Sequence, residues 1–230
     1  DGKAVETNEN NRYTLGYGDY TYVLTKDGYV VTRGTFSLGS ADAEKIKDGI
    51  LTVTTAAFLP AGENAWDGTA KTEPAKDADG VYQIGTASEL AWFGANGSKA
   101  SAVLTADIDL AGYDWTPLDK FYGSFNGDGH TIRNLYINSA SYPVGLFGYV
   151  KTGASVTKLG ITGNVTTTNK SYGQAGSIAG YMESDTSVTE SWSSVNVTGG
   201  KHGGGIAGYT AGGSAITDCY ATGTIRTISA

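Results

Sequence analysis

The chain has 230 residues, 40% of them hydrophobic and 17% charged, with a net charge of −7. That composition is globular, not disordered, and an acidic chain without a Lys/Arg cluster argues against nucleic acid and anionic membrane as partners. Thirty-four glycines against four prolines exclude collagen and Pro-rich linkers and favour turn-rich β-structure.

No apolar run reaches the length of a membrane span, and the polar opening DGKAVETNEN is not a signal peptide. The chain starts and stops abruptly, as a segment of a larger protein does. Residues 1–59 read as short strands. Tyr20–Thr25, the turn Lys26-Asp27-Gly28 and Tyr29–Leu38 carry the alternation and the Asp-Gly signal of a β-hairpin. Ile50–Thr54 reads as a further strand, and the whole as a small β-sandwich. The run YTL-x-x-GDYTYVLTKDGYVVTRGTF resembles small sandwich modules of the carboxypeptidase-regulatory-like or PEGA kind, which serve mostly as spacers.

Residues 60–80 hold two prolines and little apolar matter, so a linker is placed there. Trp66 is the exception and should pack on a neighbour. Val81–Ile84 reads as a strand. Thr86 or Ser88 can cap a helix through Glu89–Phe93 that ends near Gly94 or Gly97. This capping segment, 81–102, could plug the open end of a stack.

Beyond it the chain repeats itself. Leu146-Phe147-Gly148-Tyr149, Ile178-Ala179-Gly180-Tyr181 and Ile206-Ala207-Gly208-Tyr209 are copies of one phrase. A second phrase follows each, from Ser155, Ser187 and Ala215. The two phrases advance in step: the spacing of Gly148, Gly180 and Gly208 is the spacing of Ser155, Ser187 and Ala215. A shared period of this size signals stacked supersecondary units. Rungs are expected from about residue 103 to 230, as a parallel β-helix. Thr131–Ile137 reads as a divergent copy of the second phrase. Hence Ile132, Val156, Val188 and Ile216 are expected to form one inward ladder, its first step shorter than the later two. Leu146, Ile178 and Ile206 form another, and Tyr149, Tyr181 and Tyr209 should stack ring over ring. The Gly148, Gly180 and Gly208 column permits either a sharp turn or close approach of a neighbour.

DGVYQIGTASELAWF, LTADIDLAGYDWTPL, YGSFNGDGHTIRNLYI, VGLFGYV, IAGY and IAGYTAGGSAITDCYATGTI in series resemble the GLUG-repeat region of bacterial surface proteins, from near Trp66 to the last residue. Thr116-Pro117-Leu118-Asp119 and Phe125-Asn126-Gly127 depart mildly from the usual phrases. The resemblance implies an all-β, right-handed parallel β-helix in a secreted or wall-anchored protein, adhesin-like or the non-catalytic part of a large extracellular one. It carries no catalytic residues over.

The residues themselves offer little chemistry. Gly203-x-Gly205-x-x-Gly208 lacks the following helix that a dinucleotide site needs. Ser155-Val156-Thr157-Lys158 sits on a repeated strand, unlike the S-x-x-K of β-lactamases. Asp107, Asp109 and Asp128 are the Ca²⁺ candidates, without EF-hand spacing, and no other cofactor is expected. Together with Asp114 and Asp119 they support the enzyme alternative, a polysaccharide lyase or hydrolase. The Asn-Thr-Asp, Asp-Asp and Arg-Ile-Lys elements of pectin hydrolases are absent from the sequence. His130 and His202 lack partners at zinc-ligand spacing. Trp115, Tyr122, Tyr172 and Trp192 are the binding candidates, because sugar faces stack on such rings. The expected function is a non-catalytic stalk or adhesive segment that presents a long face to glycan or host protein; a pure spacer is the third reading.

Overall fold

The structure, a computed structural model, describes residues 15–45, 59–62 and 65–228. Among these, 15–25 and 31–45 form one compact unit, and 26–30 with 59–228 form another.

In the first unit, β1 (Gly18–Leu24) pairs antiparallel with β2 (Thr32–Leu38), from Gly18↔Leu38 to Leu24↔Thr32. Tyr20 stacks on Phe36 at 5.3 Å, a cross-strand aromatic pair of the kind that fixes register. The strand expected at Ile50–Thr54 lies outside the described residues. The Asp27-Gly28 turn forms, with Gly28 at φ 76° and Tyr29 N–H donating to the Lys26 carbonyl. The ladder nevertheless starts only at Leu24↔Thr32. Val30 N–H donates to Leu59 O instead, and Tyr29 bridges Pro60.

The second unit is a parallel β-solenoid of about four turns. Each turn runs through three sheets. The first stacks Tyr82–Ile84, Ala102–Leu104, Ser124–Asn126, Ser155–Thr157, Ser187–Thr189 and Ala215–Thr217. The second stacks Ile108–Asp109, Thr131–Ser139, Gly160–Thr167 and Trp192–Gly199, then Tyr220–Ala221 and Ile225–Thr227. The third stacks Leu118–Phe121, Phe147–Val150, Ala179–Met182 and Ala207–Thr210. Strands follow chain order and every pair is parallel.

Inward columns build the core. Phe125, Val156 and Val188 are fully buried and lie in register with Ile216. This corrects the expected ladder: Phe125, not Ile132, precedes Val156. Ile132 belongs to the second sheet, in register with Ile161. The first step therefore runs from position 125 to position 156 and nearly matches the next one, from 156 to 188. Phe125-Asn126-Gly127 looks like a turn, but its first two residues complete a strand and the corner follows, with Asp128 and Gly129 at φ of 48° and 84°.

That corner recurs. Lys158, Glu190 and Asp218 each follow a first-sheet strand and adopt φ of 52°, 49° and 54°. A single left-handed residue redirects the chain into the second sheet, at a steric cost of about 1 kcal/mol for a residue with a Cβ. The first two bends are tied to the next turn: Lys158 N–H donates to Thr189 O, and Glu190 N–H to Thr217 O.

The glycine column has the second of its two expected roles. Gln174–Gly176 pairs with His202–Gly204, and Val144 bridges Ala175. This short ladder lies directly against the third sheet. A Cβ on Gly180 would stand 2.5 Å from Val144 N, and one on Gly208 2.6 Å from Ala175 N. Two chain passes thus lie closer than side chains would allow. The core thins along with them, from Phe147 to Ala179 to Ala207 in one column.

The first end is closed by α1 (Ala87–Asn96). Thr86 caps it, and Glu89 accepts from the Thr86 and Gly85 N–H groups to complete the capping box. Phe93 is fully buried and packs on Tyr82, Phe121 and Phe125, so the helix does plug the core. Trp66 is buried edge-on against Tyr113 and Trp115. The polar interior is satisfied: Ser191 donates to Thr189 O and accepts from Leu159 N–H.

Candidate functional site

Asp107 and Asp109, near the first turns, are engaged with the chain itself. Asp109 is buried at 8% exposure. Its oxygens accept from the N–H groups of Gly62 and Ala111 and from Asn134 Nδ2, at 2.7 to 2.8 Å. It therefore staples residue 62 to the solenoid. Asp107 accepts from Thr131 N–H at 2.9 Å and Arg133 Nη2 at 2.5 Å, with His130 Nδ1 at 3.4 Å. The Thr131 hydrogen bond, then the Arg133 charge, holds its carboxyl below the usual range. Asp107 and Asp109 flank Ile108 in the chain, but their oxygens serve different partners. Asp128 stands in the turn after Asn126 at φ 48°. No group of three or more His, Cys, Asp or Glu side chains converges on one point among the described residues.

The aromatic candidates separate by position. Trp115 is an interior residue with 6% exposure, its Nε1 directed at Leu146 O. Trp66 packs edge-on against it, and the buried indole has no face left for a sugar. Tyr122 is exposed (45%), within electrostatic reach of Lys151. Tyr172 is exposed (63%) and stacks on Tyr142, which sequence reasoning passed over, at 5.8 Å. Tyr181 and Tyr209 stack as expected, at 4.9 Å, whereas Tyr149 lies 5.5 Å from Tyr181 but tilted by 45°. Tyr181 and Tyr209 spend their facing surfaces on each other. Lys151 pairs with Glu183 one turn on and lies against the Tyr149 ring. The pairing with Glu183 raises the Lys151 pKa and lowers that of Glu183.

Trp192 is different. It lies on the outward side of the second sheet, in register with Gly160 before it and Tyr220 after it. A Cβ on Gly160 would meet Trp192 Cε2, Cζ2 and Nε1 at 2.6, 2.6 and 2.8 Å. Near-equal distances to three adjoining ring atoms mean that the indole lies face-down on Gly160. Tyr220 is parallel to it within 11°, with centroids 6.3 Å apart. Tyr220 was also passed over in the sequence, although it follows Trp192 by the same step that separates Gly208 from Gly180.

Two small concavities are seen among the described residues. Both flank Trp66, of about 190 and 240 Å³, below the usual volume of small-molecule sites.

A family model described as the GLUG motif matches residues 199–226. That span is one turn of the solenoid, from the end of one second-sheet strand to the end of the next. In a search of the curated proteins no sequence matches. Among solved structures, the chain is similar to one titled a "putative immunoglobulin A1 protease" from Bacteroides ovatus, with a TM-score of 0.50 and 25% identity. The match covers 66% of this chain and 60% of that one, so the chain spans about three fifths of that protein's crystallised length. The second unit is thus a parallel β-solenoid whose turn at residues 199–226 matches the GLUG motif.

Proposed function

We propose that the chain is a non-catalytic, adhesive segment of a secreted or wall-anchored bacterial surface protein, presenting an extended face to glycan or host protein. The observation that carries this reading is where the rings lie. Tyr122, Tyr142, Tyr172 and Tyr220 all stand outside with 44% to 63% exposure, whereas the two concavities beside Trp66 are small and Asp107 and Asp109 hold backbone. Stacked turns give a stiff support for such a surface.

The B. ovatus protein's title names a protease, and a β-solenoid can also serve a large enzyme as its non-catalytic part. The test is direct. The purified chain is applied to a broad glycan array and to immobilised host matrix proteins, and in parallel incubated with uronic-acid polymers with and without Ca²⁺. Saturable binding without turnover supports the proposal. Turnover overturns it in favour of a polysaccharide-degrading enzyme, and silence in every arm overturns it in favour of a spacer.

A further inference from the structure

We propose that Trp192 and Tyr220 form a flat platform for a neutral glycan chain, with the adjoining outward residues of the same sheet as its polar floor. This rests on the adhesive reading above and names the face and the ligand class.

The geometry covers one indole face, and because Trp192 is half-buried overall, its remaining exposure is assigned to the other. Trp192 lies on Gly160, so the buried face serves the sheet, in the manner of an aromatic ring shielding a neighbouring glycine. Its opposite face points away from the sheet. Centroids 6.3 Å apart exceed full face-to-face overlap, so Tyr220 extends the surface and does not cover it. A further turn stacked along the axis would meet the strand edge after Tyr220, not the outward indole face. The apolar C–H face of a pyranose, slightly positive, is the natural partner of an exposed π-face of negative potential.

The surroundings select neutral sugar. Along the strand from Trp192, the outward residues are Ser194, Asn196 and Thr198, and each alternate residue is buried. Neither Gly160–Thr167 nor Trp192–Gly199 contains a charged residue; the exposed Arg226 of the adjoining strand lies beside Thr198, at the end of the floor away from the rings. Asn196 donates one amide proton to Asn164 Oδ1 at 3.2 Å, and its Oδ1 accepts from Thr224 N–H at 3.1 Å. The amide is thereby held in place, with its second proton left for a hydroxyl. Trp192 to Asn196 spans roughly 13 Å along the strand, at about 3.3 Å per residue, room for a short oligosaccharide. Glu190 and Asp218 stand just before the two rings, at the corner, and outnumber the one cation of that column, Lys158, a turn earlier. With the chain's net charge of −7, they repel uronic and sialic acids.

The experiment is a titration of the purified chain with neutral β-glucan, mannan and xylan oligosaccharides, and with oligogalacturonate as the acidic counterpart. Wild type, Trp192→Ala, Trp192→Tyr, Tyr220→Ala and, on the opposite side of the corner, Ser155→Ala are compared. Melting curves accompany each. The expected result is binding of at least one neutral series and at least tenfold weaker binding of the acidic one. Tyr220→Ala should lose about tenfold in affinity at unchanged melting temperature, Trp192→Ala more, and Trp192→Tyr less. Tyr220 is 60% exposed, so its variant folds even where Trp192→Ala does not. Neutral-glycan binding that both ring variants retain overturns the platform while leaving the adhesive reading intact. Binding to host protein alone, with no neutral glycan bound, overturns it in the same way. Preference for the acidic series overturns the charge argument and the proposal with it.

Discussion

The outward faces of the first and second sheets are built on the same thread and differ in what they carry. On the first sheet the columns are monotonous. Ser124, Ser155 and Ser187 follow one another, with Ser155 Oγ donating to Ser124 Oγ. Asn126, Thr157, Thr189 and Thr217 form the next column, with Thr189 bonded to Thr157. On the second sheet one column changes at each step, from Thr131 to Gly160 to Trp192 to Tyr220. Uniform columns satisfy the stack, hydroxyl to hydroxyl, and leave little to distinguish one turn from another. A column that breaks uniformity is the one where two parallel rings lie, Trp192 half-buried and Tyr220 exposed.

This contrast can be broken most severely from inside. Phe125→Ala empties a fully buried position under two uniform columns. It should cost about 3–5 kcal/mol, read by chemical denaturation. Ile132→Val, in the other sheet's column, should cost about 1 kcal/mol. Equal small losses at both would refute the register. Next in size is Gly180→Ala, which drives a Cβ toward Val144 N. A loss of about 1–3 kcal/mol is expected, against no more than about 1 kcal/mol for Gly153→Asn, at φ 83° with open space around it.

The periodicity made the stack and its third-sheet columns readable, because Leu-Phe-Gly-Tyr and its copies differ little. Phe125 was harder to place. Gly127 and Gly129 beside it carry turn chemistry, and a large aromatic stands where later copies use valine. The large ring is needed because Phe125 meets the helix plug through Phe93, a tertiary demand that no local pattern announces. Trp115 illustrates the same limit: a tryptophan near turns looks solvent-facing until Trp66, from a distant stretch of chain, is seen to pack on it. Tyr220 was within reach, since the later repeat step places it over Trp192. The missing information was that the indole lies flat on a glycine, which depends on the side chain's direction.

Smaller effects follow from charge. Asp107 and Glu183 have carboxyl groups held below their usual range, so their contributions are full above that range and are lost as the pH falls through the lowered values. Lys151 is raised, so its contribution persists below the ordinary lysine value and is lost only as the pH climbs past the raised one. Melting temperature should therefore be level near neutrality and fall below about pH 4. Asp107→Asn should shift the acid limb by no more than about 1 kcal/mol, since the pair is partly exposed. Smallest of all, Glu190→Asn relaxes a left-handed corner and should stabilise by a few tenths up to about 1 kcal/mol. A loss of stability there would mean that the corner relies on the Glu190 side chain.

The most direct measurement sets the two faces against each other. It is the affinity for a neutral oligosaccharide of the double variant Ser155→Ala/Ser187→Ala and of Tyr220→Ala, each with its melting curve. The uniform face should tolerate its change, with affinity as in the wild type and stability within about 0.5 kcal/mol. Tyr220→Ala should keep its melting temperature and lose about tenfold in affinity. Loss of binding in the hydroxyl-face variant, with Tyr220→Ala binding as before, would contradict the account.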